Sequence, residues 1–174
     1  MSFYDFWMSW IELVATPFKP SCFQQVWLGI LPLYVTLLIG ELYKSKVSFA
    51  HAVANGFVML WAGLNWGVHL ARHGWTKYVF DPSRTEMTLA WLVTIVVVAI
   101  AIFTIIIGFR KSDQGLCSVL GHTRFSCYFL ILLYPLQTHL LRWETKQLVI
   151  ILIFALPSWL VIYLIGRLIR AVIK

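Results

Sequence analysis

Charged residues divide this chain into five long apolar stretches joined by short polar connections. A helix needs about 20 mostly apolar residues to cross a hydrocarbon layer roughly 30 Å thick. Four stretches reach that length as they stand, and the fourth along the chain reaches it if Arg124 extends its side chain to the interface. The pattern therefore predicts five transmembrane helices, over residues 20–40, 47–71, 87–109, 119–141 and 147–166.

Residues 1–16 show a different pattern, because apolar and acidic positions alternate there with helical spacing. The apolar positions are Phe3, Phe6, Trp7, Trp10, Ile11 and Val14. Asp5 and Glu12 fall between them, and Pro17 follows. This spacing predicts an amphipathic helix that is too polar to span and lies at the membrane interface. Packing against a partner subunit is the alternative. No basic segment precedes it, so we expect no cleaved signal peptide.

The composition agrees with a membrane protein and excludes several other classes. The chain is 60% hydrophobic and 12% charged, and its mean hydropathy is +0.81. Soluble domains carry about 25% charged residues. The net charge is +7, but a chain with so few charged residues lacks the soluble surface on which a nucleic-acid-binding domain carries its basic patch. Three cysteines without a CxxC pair do not form a secreted disulfide framework. We predict one all-α membrane domain over residues 1–174.

The basic residues give a mild preference for one orientation. Eight of them fall on the side of the carboxyl terminus and six on the side of the amino terminus, as the five predicted spans place them. Cytoplasmic loops are enriched in Lys and Arg. The count predicts an external amino terminus and an internal carboxyl terminus.

Small residues in the second predicted span indicate close helix packing. Gly56, Gly63 and Gly67 lie near one helical face, and the last two form a GxxxG pair. Such residues let backbones approach in a membrane, where lipid provides no hydrophobic drive for association. We therefore expect this helix in the middle of the bundle. The third predicted span is almost purely Val, Ile and Ala, and we expect it to contact lipid or a smooth helix surface.

The sequence offers little catalytic chemistry, and three functions remain open. Ionisable residues are almost absent from the predicted spans, and no hydrolase triad, HExxH or phosphate-binding loop is present. The leading hypothesis is a non-enzymatic accessory or scaffolding subunit of a larger membrane complex, with lipid and other integral membrane subunits as partners. A small membrane transporter is one alternative.

Four histidines support the other alternative, a haem-b electron-transfer subunit. His51 and His69 lie near opposite ends of the second predicted span, and His122 and His139 near opposite ends of the fourth. Those two spans run parallel, so His51 shares a membrane side with His122, and His69 with His139. Imidazole is a common axial ligand of haem. In this hypothesis Asn55, one turn from His51, satisfies the second ring nitrogen of a ligand.

Two short motifs lie in the fourth predicted span. One is the stretch Leu120-Gly121-His122-Thr123-Arg124-Phe125, and the other is Tyr134-Pro135. These motifs, and the layout of an amphipathic entry ending in proline followed by five close helices, resemble the Yip1-type five-span membrane proteins. The acidic-Tyr-Gly-Pro motif of the eukaryotic members is missing, and the predicted orientation is opposite. The resemblance implies a membrane scaffold or organiser without catalytic residues.

Overall fold

A computed structural model describes residues 3–19, 23–42, 49–72, 82–111, 114–121 and 123–173. Throughout these ranges the regular structure is helical, which confirms the all-α prediction for the described part of the chain. A 3₁₀ turn, Thr16–Phe18, follows the first helix. The helices are α1 (Phe3–Ala15), α2 (Phe23–Leu42), α3 (Phe49–Ala71), α4 (Arg84–Arg110), α5 (Gln114–Leu120), α6 (Thr123–Gln137), α7 (Thr145–Ile153) and α8 (Ala155–Ile173).

Helix α3 lies at the centre of this arrangement. It packs along α4 and also contacts α2, α5 and α6. The main core forms where α2, α3 and α6 meet, around Ile30, Leu33, Trp66 and Tyr134. A second core joins α1, α6 and the α7–α8 junction. The outer faces of the helices carry many exposed large apolar side chains, including Leu28, Phe57, Trp61, Ile95, Phe109, Leu156 and Leu168.

One described helix is by itself long and apolar enough to cross a membrane, namely α4. Helices α7 and α8 meet the same test when taken together, and they are bent by 44° at Phe154. Pro157 explains the bend, because proline lacks an amide proton and its ring clashes with the carbonyl four residues earlier. Proline is tolerated in the first turn of a helix, which is where it lies in α8.

The fourth predicted span differs from the structure at both of its ends. Residues 119–141 do not form one helix, because α5 ends at Leu120 and α6 ends at Gln137. The amide of Leu140 donates to the Pro135 carbonyl (2.9 Å), and that of His139 donates to the Leu136 carbonyl (3.2 Å). These bonds form a Schellman motif, with His139 at the left-handed position (φ 52°) that glycine usually occupies.

Helix α1 packs against the rest of the chain through one face. Leu13 is buried among side chains of α6 and α7, and the ring of Trp10 stacks on Phe154 at the α7–α8 bend (5.3 Å between centroids). The opposite face exposes Tyr4 and Met8. The amphipathic pattern of residues 1–16 therefore corresponds to a helix whose inner face contacts the bundle itself.

A capping box fixes the start of α4 immediately before the apolar stretch that begins at Met87. The Ser83 hydroxyl accepts from the Glu86 amide (3.2 Å), and the Ser83 amide donates to the Glu86 carboxylate (2.8 Å). The second of these bonds, together with smaller contributions that include the charge of Arg142, lowers the pKa of Glu86 below its ordinary 4.5. Each bond occupies an amide that the first turn of a helix leaves without an intrahelical acceptor.

The lowered pKa of Glu86 predicts a small acid-dependent loss of stability. A carboxylate whose pKa is depressed by folding stabilises the protein above pH 4.5, and this contribution disappears as the pH falls through its folded pKa. We expect the melting temperature of the wild type to exceed that of Glu86→Gln near pH 6 and to converge with it near pH 3. Glu144→Gln serves as control, since the Glu144 side chain makes no capping bond. A constant difference across this pH range would contradict the prediction.

Candidate functional site

Three polar side chains of α3 make hydrogen bonds to α6 or to the residues that flank it, and we call this set of contacts the polar seam. In the middle of the seam, the Tyr134 hydroxyl donates to the Asn65 side-chain oxygen. At one end, the Asn55 amide donates to the Leu120 carbonyl (2.5 Å) and to the Ser126 hydroxyl (2.9 Å). The polar seam thus links α3 to the α5–α6 junction and to the body of α6.

The third contact of the polar seam lies at the opposite end of α6. The Nε2 atom of His69 is 3.2 Å from the Thr138 carbonyl, in the turn that follows the helix. A carbonyl can only accept, so this contact places an imidazole proton on Nε2. Because Thr138 precedes His139, His69 and His139 share one end of the bundle.

The four histidines of the haem hypothesis have different environments. His51 is half-buried on α3, and His122 lies outside the described residues. His139 is completely buried at the left-handed position of the Schellman motif. A haem ligand at His69 through Nε2 would require loss of its contact with Thr138. In the described part of the chain, no three His, Cys, Asp or Glu residues form a potential metal site.

Asn55, the suggested partner of His51, makes its hydrogen bonds to other residues. Its amide nitrogen is engaged by Leu120 and Ser126, as described above. Its oxygen has no hydrogen-bond donor within the described residues, although the side chain is fully buried. Asn55 therefore ties α3 to the α5–α6 junction, and a role beside a ligating imidazole stays a prediction.

The polar seam depends on a glycine of α2 that the sequence analysis missed. Gly29 is buried directly over the contact between Tyr134 and Asn65. A Cβ atom at this position would overlap the Tyr134 hydroxyl and would lie 2.5 Å from the Asn65 side-chain oxygen. Only the absence of a side chain lets α2 approach this closely.

The three glycines expected to pack helices have unequal roles. At Gly56 a Cβ atom would lie 2.6 Å from Ile105 Cγ1, and at Gly63 it would lie 2.6 Å from Val98 Cγ2. Both glycines therefore face α4 in close contact. At Gly67 a Cβ atom would meet only Thr94 Cγ2, at the ordinary distance of 3.9 Å. Gly108 of α4, which the sequence analysis also missed, lies against Val53 of α3 in the same tight manner.

A buried amide lies close to Thr94, the α4 residue that faces Gly67. Gln137, in the last turn of α6, has an exposed fraction of 0%, and its side-chain oxygen lies 3.5 Å from the Thr94 hydroxyl of α4. That hydroxyl donates to the Ala90 carbonyl at 2.9 Å. Among the described residues, the Gln137 side-chain nitrogen has no acceptor. The sequence signal was the single amide side chain of the fourth predicted span.

Comparisons of the chain with protein families, curated proteins and solved structures found no match. The geometry of the site is therefore the basis for the functional argument. Its polar groups bond α3 to α6 or to the residues that flank α6.

Proposed function

We propose that this protein is a non-enzymatic, multi-pass integral membrane protein that acts as an accessory or scaffolding subunit of a larger membrane complex. The observation that carries the proposal is the polar seam. Its amide, hydroxyl and imidazole groups form hydrogen bonds that join α3 to α6 and its flanking residues, while the outer faces of the bundle are apolar. Buried polar groups of this kind hold membrane helices together without providing chemistry.

Five crossings follow from assigning one span to each of α2, α3 and α4, one to α5 with α6, and one to α7 with α8. Helix α6 alone is about 22 Å long, given a rise of ~1.5 Å per residue, so it needs flanking residues to cross. An odd number of crossings puts the two termini on opposite sides. The basic residues favour an external amino terminus.

The exposed apolar ridges on neighbouring helices supply surface for lipid and for other subunits. On α2 the ridge comprises Leu28, Leu31, Val35 and Leu38, and on α3 it comprises Phe57, Trp61, Leu64 and Val68. Trp61 of α3 donates to the Leu28 carbonyl of α2 (3.3 Å), so the two ridges lie side by side. Side chains spaced alternately three and four residues apart form the type of seam into which another helix can pack.

The topology can be tested with single cysteines introduced at the two termini. We expect Ser2→Cys and Lys174→Cys to react with an impermeant maleimide from opposite sides of the membrane, and the protein to resist alkaline extraction. Cys117 and Cys127 are buried, so they provide a low background in a Cys22→Ser chain. Labelling of both termini from the same side would exclude five crossings.

The accessory role needs a separate test on the intact complex. A tagged full-length chain extracted in a mild detergent should migrate as a particle containing a second polypeptide in fixed stoichiometry. Recovery of the 20.1 kDa chain as a monomer, under conditions in which its fold is retained, would overturn the assignment. That outcome would leave the topology untouched, because the topology is measured in the membrane.

A further inference from the structure

The outer face of α1 carries a row of exposed side chains, which we call the α1 stripe. Its members are spaced alternately four and three residues apart, and they are Tyr4, Met8, Ile11 and Ala15. This is the spacing of the a and d positions through which two helices pack side by side. The inner face of α1 is already covered, because Leu13 is buried in the bundle and Trp10 stacks on Phe154.

Two carboxylates lie along one edge of the α1 stripe. Asp5 and Glu12 are exposed and seven residues apart, so they occupy the same position of successive heptads. With Met8 at position a, both acids fall at position e, where charges between paired helices decide the choice of partner. The opposite edge, position g, holds Trp7 and Val14, which are uncharged. The charge beside the α1 stripe is therefore negative only.

This charge pattern distinguishes a protein partner from a lipid surface. Helices that bind at a lipid surface usually carry Lys and Arg on their polar face, which attracts anionic headgroups. Phe3–Ala15 contains two acidic residues and no basic one. A second copy docked through the same stripe lacks the complementary charge as well. In an antiparallel pair acid would face acid, and in a parallel pair the acids would face Trp7 and Val14.

We propose that the α1 stripe is the docking surface for an amphipathic helix of a partner subunit, with apolar residues at positions a and d and Lys or Arg opposite Asp5 and Glu12. The inference rests on the accessory role proposed above and gives that partner a chemistry. Burial of the apolar stripe supplies most of the affinity, while the charge pairs set the register and direction of the partner helix. Since both acids are exposed, salt weakens the electrostatic part.

The test measures, by fluorescence anisotropy, the binding of designed helical peptides to the full-length protein in phosphatidylcholine nanodiscs. The first peptide is about three heptads long, with Leu at a and d and Lys at e and g, and the second carries Glu in place of each Lys. We expect the Lys peptide to bind about tenfold more tightly, because two exposed ion pairs replace two repulsions. The net charge of the chain is +7, so its overall field opposes this preference. Empty nanodiscs give the binding of each peptide to lipid alone.

Charge reversal shows whether the binding occurs on α1. Glu12→Lys should remove the preference for the Lys peptide, and the double variant Asp5→Lys with Glu12→Lys should invert it. Glu144→Lys reverses an exposed acid outside α1 and should leave the preference unchanged. Equal affinities of the wild type for the two peptides would overturn the proposal, as would a preference for Lys that survives the double reversal.

A second copy of the chain is tested directly with Met8→Cys in the Cys22→Ser background. Cross-linking of two such chains through position 8 in nanodiscs would overturn the proposal, because the occupant of the α1 stripe would then be the same chain. The absence of this cross-link, together with the preference for the Lys peptide, supports a basic partner helix. Recovery of a second polypeptide from native membranes is a separate measurement, so failure of the accessory role and failure of the α1 stripe are distinguishable.

Discussion

Replacement of Gly29 by alanine is expected to destabilise the protein by about 3 kcal/mol, the upper end of the usual cost of overpacking a core. The new Cβ atom would overlap the Tyr134 hydroxyl and would lie 2.5 Å from the Asn65 side-chain oxygen. Helix α2 would have to move away, or the bond between Tyr134 and Asn65 would have to break. The free energy of unfolding in mixed micelles, measured by titration with SDS, gives the magnitude.

Two further variants identify the cause of that loss. Tyr134→Phe alone should cost about 1 kcal/mol, because the Asn65 oxygen loses its donor. In the Tyr134→Phe background, Gly29→Ala should cost less than in the wild type, since the overlapping oxygen is gone. Leu28→Ala is the matched control on α2, as the Leu28 side chain is 71% exposed. Equal costs for Gly29→Ala in both backgrounds would show that the clash with the hydroxyl is not the reason.

The helical class and several helix limits could be predicted from the sequence because each depends on local pattern. The alternation in residues 1–16 corresponds to α1, and the apolar run from Met87 lies within α4. The length of a stretch without charged residues does not indicate where a helix within that stretch ends. The end of α6 at Gln137 depends on a Schellman motif with a histidine at its left-handed position. That motif is difficult to predict from the sequence, because glycine usually occupies its left-handed position.

The candidate site was harder to predict, because its contacts join residues far apart in the chain. The glycines of α3 were visible as a spaced set, yet the sequence could not show that Gly67 packs less tightly than Gly56 and Gly63. Gly29 and Gly108 are isolated glycines, and their importance appears only when a second helix lies against them. Thr94 and Gln137 are both neutral, so the scarcity of ionisable residues inside the predicted spans does not point to this buried polar pair.

The environments of two tryptophans on α3 lead to the second large expected effect. Trp66 has an exposed fraction of 0% and contacts the Tyr134 ring edge-on, with centroids 5.8 Å apart. Trp61, only five residues earlier, is 45% exposed and lies on the outer ridge. The structure therefore separates two identical side chains on one helix into a core position and a surface position.

Trp66→Ala should lower the free energy of unfolding by about 3 kcal/mol, the low end of the range for a large aromatic side chain removed from a core. The low end applies because, in the membrane arrangement proposed above, a core side chain gains little from leaving water. Most of the cost then comes from the cavity and from lost dispersion contacts. Trp61→Ala should cost less than 1 kcal/mol, since lipid or detergent replaces the indole ring. SDS titration of both variants measures the difference directly. Equal costs would mean that α3 is rotated about its axis relative to the arrangement described here, and the polar seam would then have to be reassigned.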